Sequence, residues 1–199
     1  MKTNQDDKEQ QIICAAIDIF ACPGYAASNV PSIAAASGVS VGSIYHYFKN
    51  KQAILNAVFQ TICDQIMTII QEDLQTDQPI KKRFNQFFDQ SVDLVNGNPT
   101  ALHFIYQNSF NEDLDDTSRK LRRQIIERVT AFIKEGQQQQ ILVAVEPMTQ
   151  LALLIGSLSM MANFVWISQD VDQSSVDPKA LTELKIQVWN GLSTNRQSH

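Results

Sequence analysis

The sequence predicts an all-α protein. Apolar residues recur three and four positions apart along most of the chain, a spacing that places side chains on one face of a helix. The sequence shows no convincing alternation of apolar and polar residues between turn signals, which would indicate strands. Breakers such as Pro23-Gly24 and Asp177-Pro178 divide the pattern into separate helical segments.

Nine helices are expected, over residues 8–21, 29–36, 41–47, 51–74, 79–96, 99–110, 116–136, 147–168 and 178–192. Ser28, Ser40 and Asn50 are the predicted N-caps of the second, third and fourth helices, because short polar side chains accept hydrogen bonds from the first free N–H groups. Pro31 falls in the first turn of the second helix, where its missing N–H costs little. The glutamine run over 137–140 is expected to be an exposed connection.

Composition indicates an ordinary globular protein, with 44% hydrophobic and 19% charged residues among 199. The formal net charge of -5 argues against a protein that coats nucleic acid indiscriminately, although a small reading surface on an acidic body is compatible with it. The uncharged stretch between Glu146 and Asp170 is interrupted by polar residues, so we expect a buried or interface helix and no membrane partner. The acidic N-terminus is unlike a signal peptide, which predicts a cytoplasmic protein.

Residues 29–47 have the pattern of a helix-turn-helix, in which two short helices are joined by Gly38-Val39-Ser40. If Ile44 points inward, the rotation of about 100° per residue turns its neighbours outward or sideways. These neighbours carry hydrogen-bonding groups or, at the glycine, allow close approach of the backbone: Gly42, Ser43, Tyr45 and His46. The sequence therefore predicts that the third helix reads the major groove of DNA.

The segment SNVPSIAAASGVSVGSIYHYFKNKQAIL, residues 28–55, closely resembles the DNA-binding signature of the tetracycline-repressor (TetR) family of bacterial transcription regulators. The resemblance implies a nine-helix architecture with a three-helix head over residues 1–50 and a ligand-binding and dimerisation domain over 51–199. It also implies a ligand-responsive regulator, expected to be a repressor, that binds a pseudo-palindromic operator in double-stranded DNA as a homodimer. A small, largely apolar inducer would release it.

The resemblance also assigns roles to individual residues. By position, Ser28, Tyr47 and Lys51 would hold phosphates of the DNA backbone. The residues that would face the groove are Ser40, Gly42, Ser43, Tyr45 and His46.

The last two helices are expected to form a four-helix dimer interface. The residues assigned to it are Leu151, Ile155, Leu158, Leu181, Leu184 and Val188. From the pattern alone, these stripes could equally close the core of a monomer. Polar or aromatic residues on otherwise apolar helices are candidate ligand contacts, with a satisfied core or surface role as the alternative: His103, Tyr106, Gln107, Asn163 and Trp166.

Enzymatic activity, a cofactor and a metal site are not expected. The sequence lacks a phosphate-binding glycine loop, a nucleophile elbow and any cysteine or histidine spacing typical of zinc sites. A helical dimer that binds other proteins, without sequence-specific recognition of DNA, is the alternative function. That alternative leaves the exposed residues Gly42, Tyr45 and His46 unexplained.

Overall fold

The computed structural model of the protein describes residues 4–168 and 178–194. The helices are α1 (Asn4–Ile19) with a π-helical turn (Phe20–Gly24), α2 (Val30–Ser37), α3 (Val41–Tyr47), α4 (Lys51–Ile69) with a second π-helical turn (Ile70–Leu74), α5 (Ile80–Gly97), α6 (Pro99–Asn108), α7 (Asp116–Gln138), α8 (Pro147–Ser168) and α9 (Pro178–Leu192). Within the described residues there is no strand, and the predicted all-α, nine-helix class is confirmed.

Three short polar side chains begin the helices of the head, but one of them differs from the prediction. Ser40 caps α3 by accepting from the N–H of Ser43, and Asn50 caps α4 by accepting from that of Ala53. The cap of α2 is Asn29, not Ser28. Ser28 instead donates its hydroxyl to the carbonyl of Tyr25 at 2.7 Å, because it lies in the turn that precedes the helix.

The glutamine run is only partly the exposed connection predicted for it: residues 138–140 are exposed, whereas Gln137 is half-buried. The helix α7 extends through Gln138, so half of the run is helical. The side-chain amide of Gln137 donates to the carbonyl oxygens of Val143 and Val145 and lies 3.1 Å from the side-chain oxygen of Gln150. This side chain therefore fastens the connection between α7 and α8.

Two apolar cores share the long helix α4. The head core joins α1, α2 and α3 to the first half of α4, and it includes Ala101 and Phe104 from α6. The body core joins the end of the α4 segment to α5, α7, α8 and α9. Ile66 packs against both cores, so α4 connects the head to the body through continuous side-chain packing.

The residues predicted for the dimer interface pack against the core of their own protomer, and their role in a dimer stays a prediction. Leu151, Leu158 and Val188 are at most 8% exposed and belong to the body core of a single protomer. Ile155, Leu181 and Leu184 are partly buried against the same core. Because α8 is apolar on more than one face, its sequence pattern does not tell which face turns inward.

The outward face of α8 carries a different apolar set. Leu153, Met160 and Ile167 are 40%, 47% and 52% exposed and follow one another at helical spacing; we call them the α8 outer stripe. By length and composition, the segments Lys51–Leu74 and Pro147–Ile167 could each cross a membrane. Both contribute to the cores described above, as expected for interior helices of a globular protein.

Candidate functional site

The tight turn between α2 and α3 sets the orientation of the third helix. Gly38 ends α2 with φ of 69°, a left-handed conformation that glycine adopts without steric cost. Val39 is buried after it, and Ile44 and Phe48 anchor α3 at 0% and 5% exposure. The inward position of Ile44 on which the sequence argument depends is therefore observed.

With Ile44 inward, the outer surface of α3 carries the residues predicted to face the groove. Ser40, Gly42, Tyr45 and His46 are exposed, with Tyr45 at 52%, and Ser43 is half-buried. A Cβ added at Gly42 would meet no atom within 4 Å, so the backbone there is open to close approach. Their contact with DNA stays a prediction.

The three predicted phosphate contacts are placed less uniformly. Tyr47 is half-buried beside His46, with ring centroids 5.6 Å apart. Ser28 is 8% exposed and its hydroxyl is already bonded, so it offers little surface to a phosphate. Lys51 donates to the carbonyl oxygens of Tyr25 and Ser28 at 2.9 and 3.0 Å, and its ammonium lies 4.4 Å from the centroid of the Tyr25 ring. Two of the three ammonium donors of Lys51 are therefore used inside the head.

A hydrogen-bond network that the sequence argument missed links the head to the loop between α6 and α7. The Tyr25 hydroxyl donates to a carboxylate oxygen of Asp113 at 2.8 Å. The side-chain amides of Gln52 and Asn56, both on α4, donate to the Asp113 carbonyl at 2.9 Å. Burial, together with the hydrogen bond and the charge of Asp113, raises the pKa of Tyr25 above its ordinary value. In the sequence, the one local sign of this network is Asn56, a polar residue on the side of α4 that is buried.

The body encloses a cavity of about 160 Å³ between α4, α5, α6, α7 and α8. Its wall is almost entirely aliphatic and aromatic, with Phe59, Phe87 and Leu158 among the larger side chains. A second, more open groove of about 440 Å³ lies between α7 and α8 and shares part of that wall, including Tyr106 and Ile155. Such a cavity suits an apolar ligand.

Among the five predicted ligand residues, Tyr106 lines the cavity and the groove. The other four form a separate polar joint between α6 and α8. The Nδ1 atom of His103 lies 2.6 Å from the Asn163 side-chain oxygen, and its Nε2 atom lies 2.8 Å from the side-chain nitrogen of Gln107. These contacts fit a neutral imidazole that donates from Nδ1 and accepts at Nε2. Trp166 stacks on the imidazole at 3.7 Å, so His103 already has its polar partners without a ligand.

Two features of the cavity wall were absent from the sequence-based list of ligand contacts. Arg122, on α7, contributes the wall's one charged side chain among the described residues. Burial raises the pKa of the Cys63 thiol to about 12, an effect that Asp64 reinforces and the positive charge of Arg122 opposes. The thiol is therefore a neutral part of the cavity wall at physiological pH.

The two halves of the chain match two family models. Residues 12–58 match the model for bacterial regulatory proteins of the tetR family, and residues 59–194 match the tetracyclin repressor-like C-terminal domain. A "Fatty acid metabolism regulator protein" of Bacillus subtilis is 36% identical over 90 residues, which are 45% of this chain and 46% of the relative. The transcriptional activator FasR of Mycolicibacterium smegmatis is 24% identical over 106 residues, 53% of this chain and 48% of that protein. The chain thus spans about half the length of these curated relatives.

Solved structures share the fold over nearly the whole chain. A TetR family transcription regulator from Marinobacter aquaeolei superposes with a TM-score of 0.82 at 13% identity, covering 97% of this chain and 99% of that one. The regulator FadR from Bacillus subtilis, in complex with stearoyl-CoA, has a TM-score of 0.68 at 24% identity and covers 93% and 97%. Taken with the helix-turn-helix geometry and the two matching family models, these similarities show that the chain belongs to the tetracycline-repressor family of bacterial regulatory proteins.

Proposed function

We propose that the protein is a ligand-responsive transcriptional regulator, a repressor that binds a pseudo-palindromic operator as a homodimer and is released by a small-molecule inducer. The observation that carries this proposal is the outer face of α3, where exposed hydrogen-bonding side chains surround an open glycine on a rigidly anchored helix. It acts by binding rather than by catalysis, in the cytoplasm. Residues 1–50 form the DNA-binding unit and 51–199 the ligand and dimerisation unit.

Tyr45 and His46 are the proposed base-reading side chains, supported by Ser40, Gly42 and Ser43. Both rings are exposed on a seven-residue helix, so a role in the apolar core does not explain why these positions are aromatic. Tyr47 and Lys49, half-buried and exposed at the end of α3, are the proposed phosphate contacts. We assign Lys51 mainly to holding the turn before α2, because two of its donors already bind the carbonyl oxygens of that turn.

The proposed partner of the α8 outer stripe is the same stripe on a second copy of this chain. Aliphatic and thioether side chains at helical spacing, about half exposed, form the kind of patch that an interface covers. A two-fold axis would bring two identical stripes together and relate the two copies of α3 by the same symmetry as a palindromic site. Leu181 and Leu184, which are only partly buried, would border this interface.

The proposed inducer carries a long apolar chain. The nearly unbroken apolar wall of the cavity supports this chemistry. The names of two similar proteins point the same way, since one is a fatty acid metabolism regulator and the other binds stearoyl-CoA. Of the residues first considered as contacts, Tyr106 keeps this role; His103, Gln107, Asn163 and Trp166 would act through the joint that sets the spacing of α6 and α8.

Selection of bound sequences from random duplex DNA, followed by gel shifts, tests the regulator function. We expect recovery of a two-fold symmetric sequence, and Tyr45→Ala should cost about 1–3 kcal/mol and relax the preference at one or two base pairs. Gln86→Ala, at an exposed residue of α5 in the body, is the matched control. Recovery of no preferred sequence would contradict the proposal and favour the alternative of a protein-interaction module.

A further inference from the structure

Arg122 contributes a charged side chain to the wall of an otherwise apolar cavity. It lies on α7 and contributes to the wall together with Cys63, Ile125 and Tyr106. Its field reaches into the cavity, because it shifts the titration of the Cys63 thiol. Every other lining residue among those described is apolar or neutral.

This guanidinium is not neutralised by an acid. Within the described residues, no carboxylate lies within ion-pair distance of Arg122, whereas Arg83 pairs with Glu135 and Arg119 with Asp116. Arg122 donates one hydrogen bond to the carbonyl of Ser109, and its guanidinium carbon lies 5.1 Å from the centroid of the exposed Phe110 ring. A guanidinium has five N–H donors in a planar fork that matches a carboxylate or phosphate. Most of that fork is available.

Building on the regulator function proposed above, we propose that the inducer is an amphiphile whose anionic group pairs with Arg122 while its apolar chain fills the cavity between α4 and α8. The unneutralised charge of Arg122 matches the anionic group of such a molecule, and the apolar wall matches its chain. A free carboxylate and a phosphate of an acyl thioester both supply this anion. An uncharged chain would contact the apolar wall but would leave Arg122 without an anionic partner.

The same pairing would change the contact that Arg122 makes without ligand. Ser109 is the C-cap residue of α6, so its carbonyl belongs to the end of that helix. A carboxylate is a stronger acceptor for a guanidinium than a peptide carbonyl. A bound anion would therefore compete with the Ser109 carbonyl for the guanidinium and weaken this hydrogen bond at the end of α6.

Calorimetric titration with three probes of equal chain length tests the proposal: dodecanoate, dodecan-1-ol and dodecanoyl-CoA. The wild-type dimer should bind dodecanoate roughly ten- to hundredfold more tightly than dodecan-1-ol, the range expected for a hydrogen-bonded ion pair. Arg122→Met, which keeps an unbranched apolar stem, should abolish that preference and leave the affinity for dodecan-1-ol unchanged. Arg122→Lys should keep part of it. Arg123→Met, at an exposed neighbour outside the wall, is the control and should bind all three probes like wild type.

The outcomes separate this inference from the regulator function. Loss of dodecanoate affinity in Arg122→Met identifies a carboxylate ligand, and loss of dodecanoyl-CoA affinity identifies a phosphate. The inference is overturned if wild-type protein binds neither dodecanoate nor dodecanoyl-CoA more tightly than dodecan-1-ol, or if Arg122→Met weakens the binding of all three probes alike. A gel shift with the selected operator, run on the same wild-type preparation, then decides the regulator function independently.

Discussion

Removing the Tyr25 hydroxyl tests the link between the head and the body. In Tyr25→Phe the ring remains packed against Phe20, but the 2.8 Å hydrogen bond to Asp113 is lost. A hydrogen bond to a charged group contributes about 1.5–3 kcal/mol. Because Tyr25 and Asp113 are both half-buried, water replaces part of the lost bond, and we expect a loss of about 1.5 kcal/mol or slightly less.

Urea unfolding at neutral pH measures this loss. Tyr25→Phe should lower the midpoint without changing the slope, since the surface exposed on unfolding is nearly the same. Tyr106→Phe is the matched control, because the Tyr106 ring is 52% exposed and its hydroxyl has no hydrogen-bond partner among the described residues. Equal stability of Tyr25→Phe and wild type would refute the account of this link.

The same pair predicts a pH dependence. Burial and Asp113 raise the pKa of Tyr25 in the folded protein above the value in the unfolded chain, which is about 10. The hydroxyl therefore stabilises the fold fully below about pH 10, and this contribution is lost as the pH rises above that value. The difference in unfolding free energy between wild type and Tyr25→Phe should be constant below about pH 10, the ordinary value, and should shrink as the pH rises from there towards the higher pKa of the folded protein. A difference that grows with pH would reverse the sign and contradict the assignment.

Three further substitutions test other parts of the molecule. Met160→Glu should bury an unpaired charge in the proposed dimer interface, so sedimentation should show monomer, whereas Gln86→Glu on α5 should stay dimeric. Gly136→Ala should cost about 1–3 kcal/mol in urea unfolding, because its Cβ would lie 2.6 Å from the Leu142 side chain. Gly97→Ala, whose Cβ would meet nothing within 4 Å, is the control and should not destabilise. Lys49→Ala should flatten the salt dependence of operator binding by about one unit per subunit; an unchanged slope would remove Lys49 from the phosphate contacts.

What the sequence could predict was local chemistry. Ser40 and Asn50 cap their helices as predicted, because a cap depends on a side chain and on N–H groups three residues away. Ser28 and Asn29 are both good caps, and only the exact start of α2 distinguishes them. The inward position of Ile44 followed from helical periodicity on a helix with a single large apolar side chain facing the core.

What it could not predict depended on tertiary packing. The helix α8 carries Leu158 in the core and Met160 outside, and periodicity cannot rank two apolar faces of one helix. Tyr25 and Asp113 are 88 positions apart, and no local pattern connects them. In the sequence, Arg122 is indistinguishable from an ordinary surface charge, because its place in the cavity wall depends on how α4 and α6 pack beside α7.

The loop between α6 and α7 is positioned to transmit ligand binding to the reading helix. Its first carbonyl, on Ser109, is held by Arg122, and further along it Asp113 accepts from Tyr25 in the head. A ligand that competes for Arg122 would favour conformations in which this loop holds the head less firmly, and operator DNA would favour the opposite. We therefore expect operator DNA to weaken dodecanoate binding by the same factor by which dodecanoate weakens operator binding, about 5–150-fold. Tyr25→Phe should reduce both factors while leaving dodecanoate affinity without DNA unchanged. Titrations with and without operator measure them; full coupling in Tyr25→Phe would show that the signal passes elsewhere, most directly through α4.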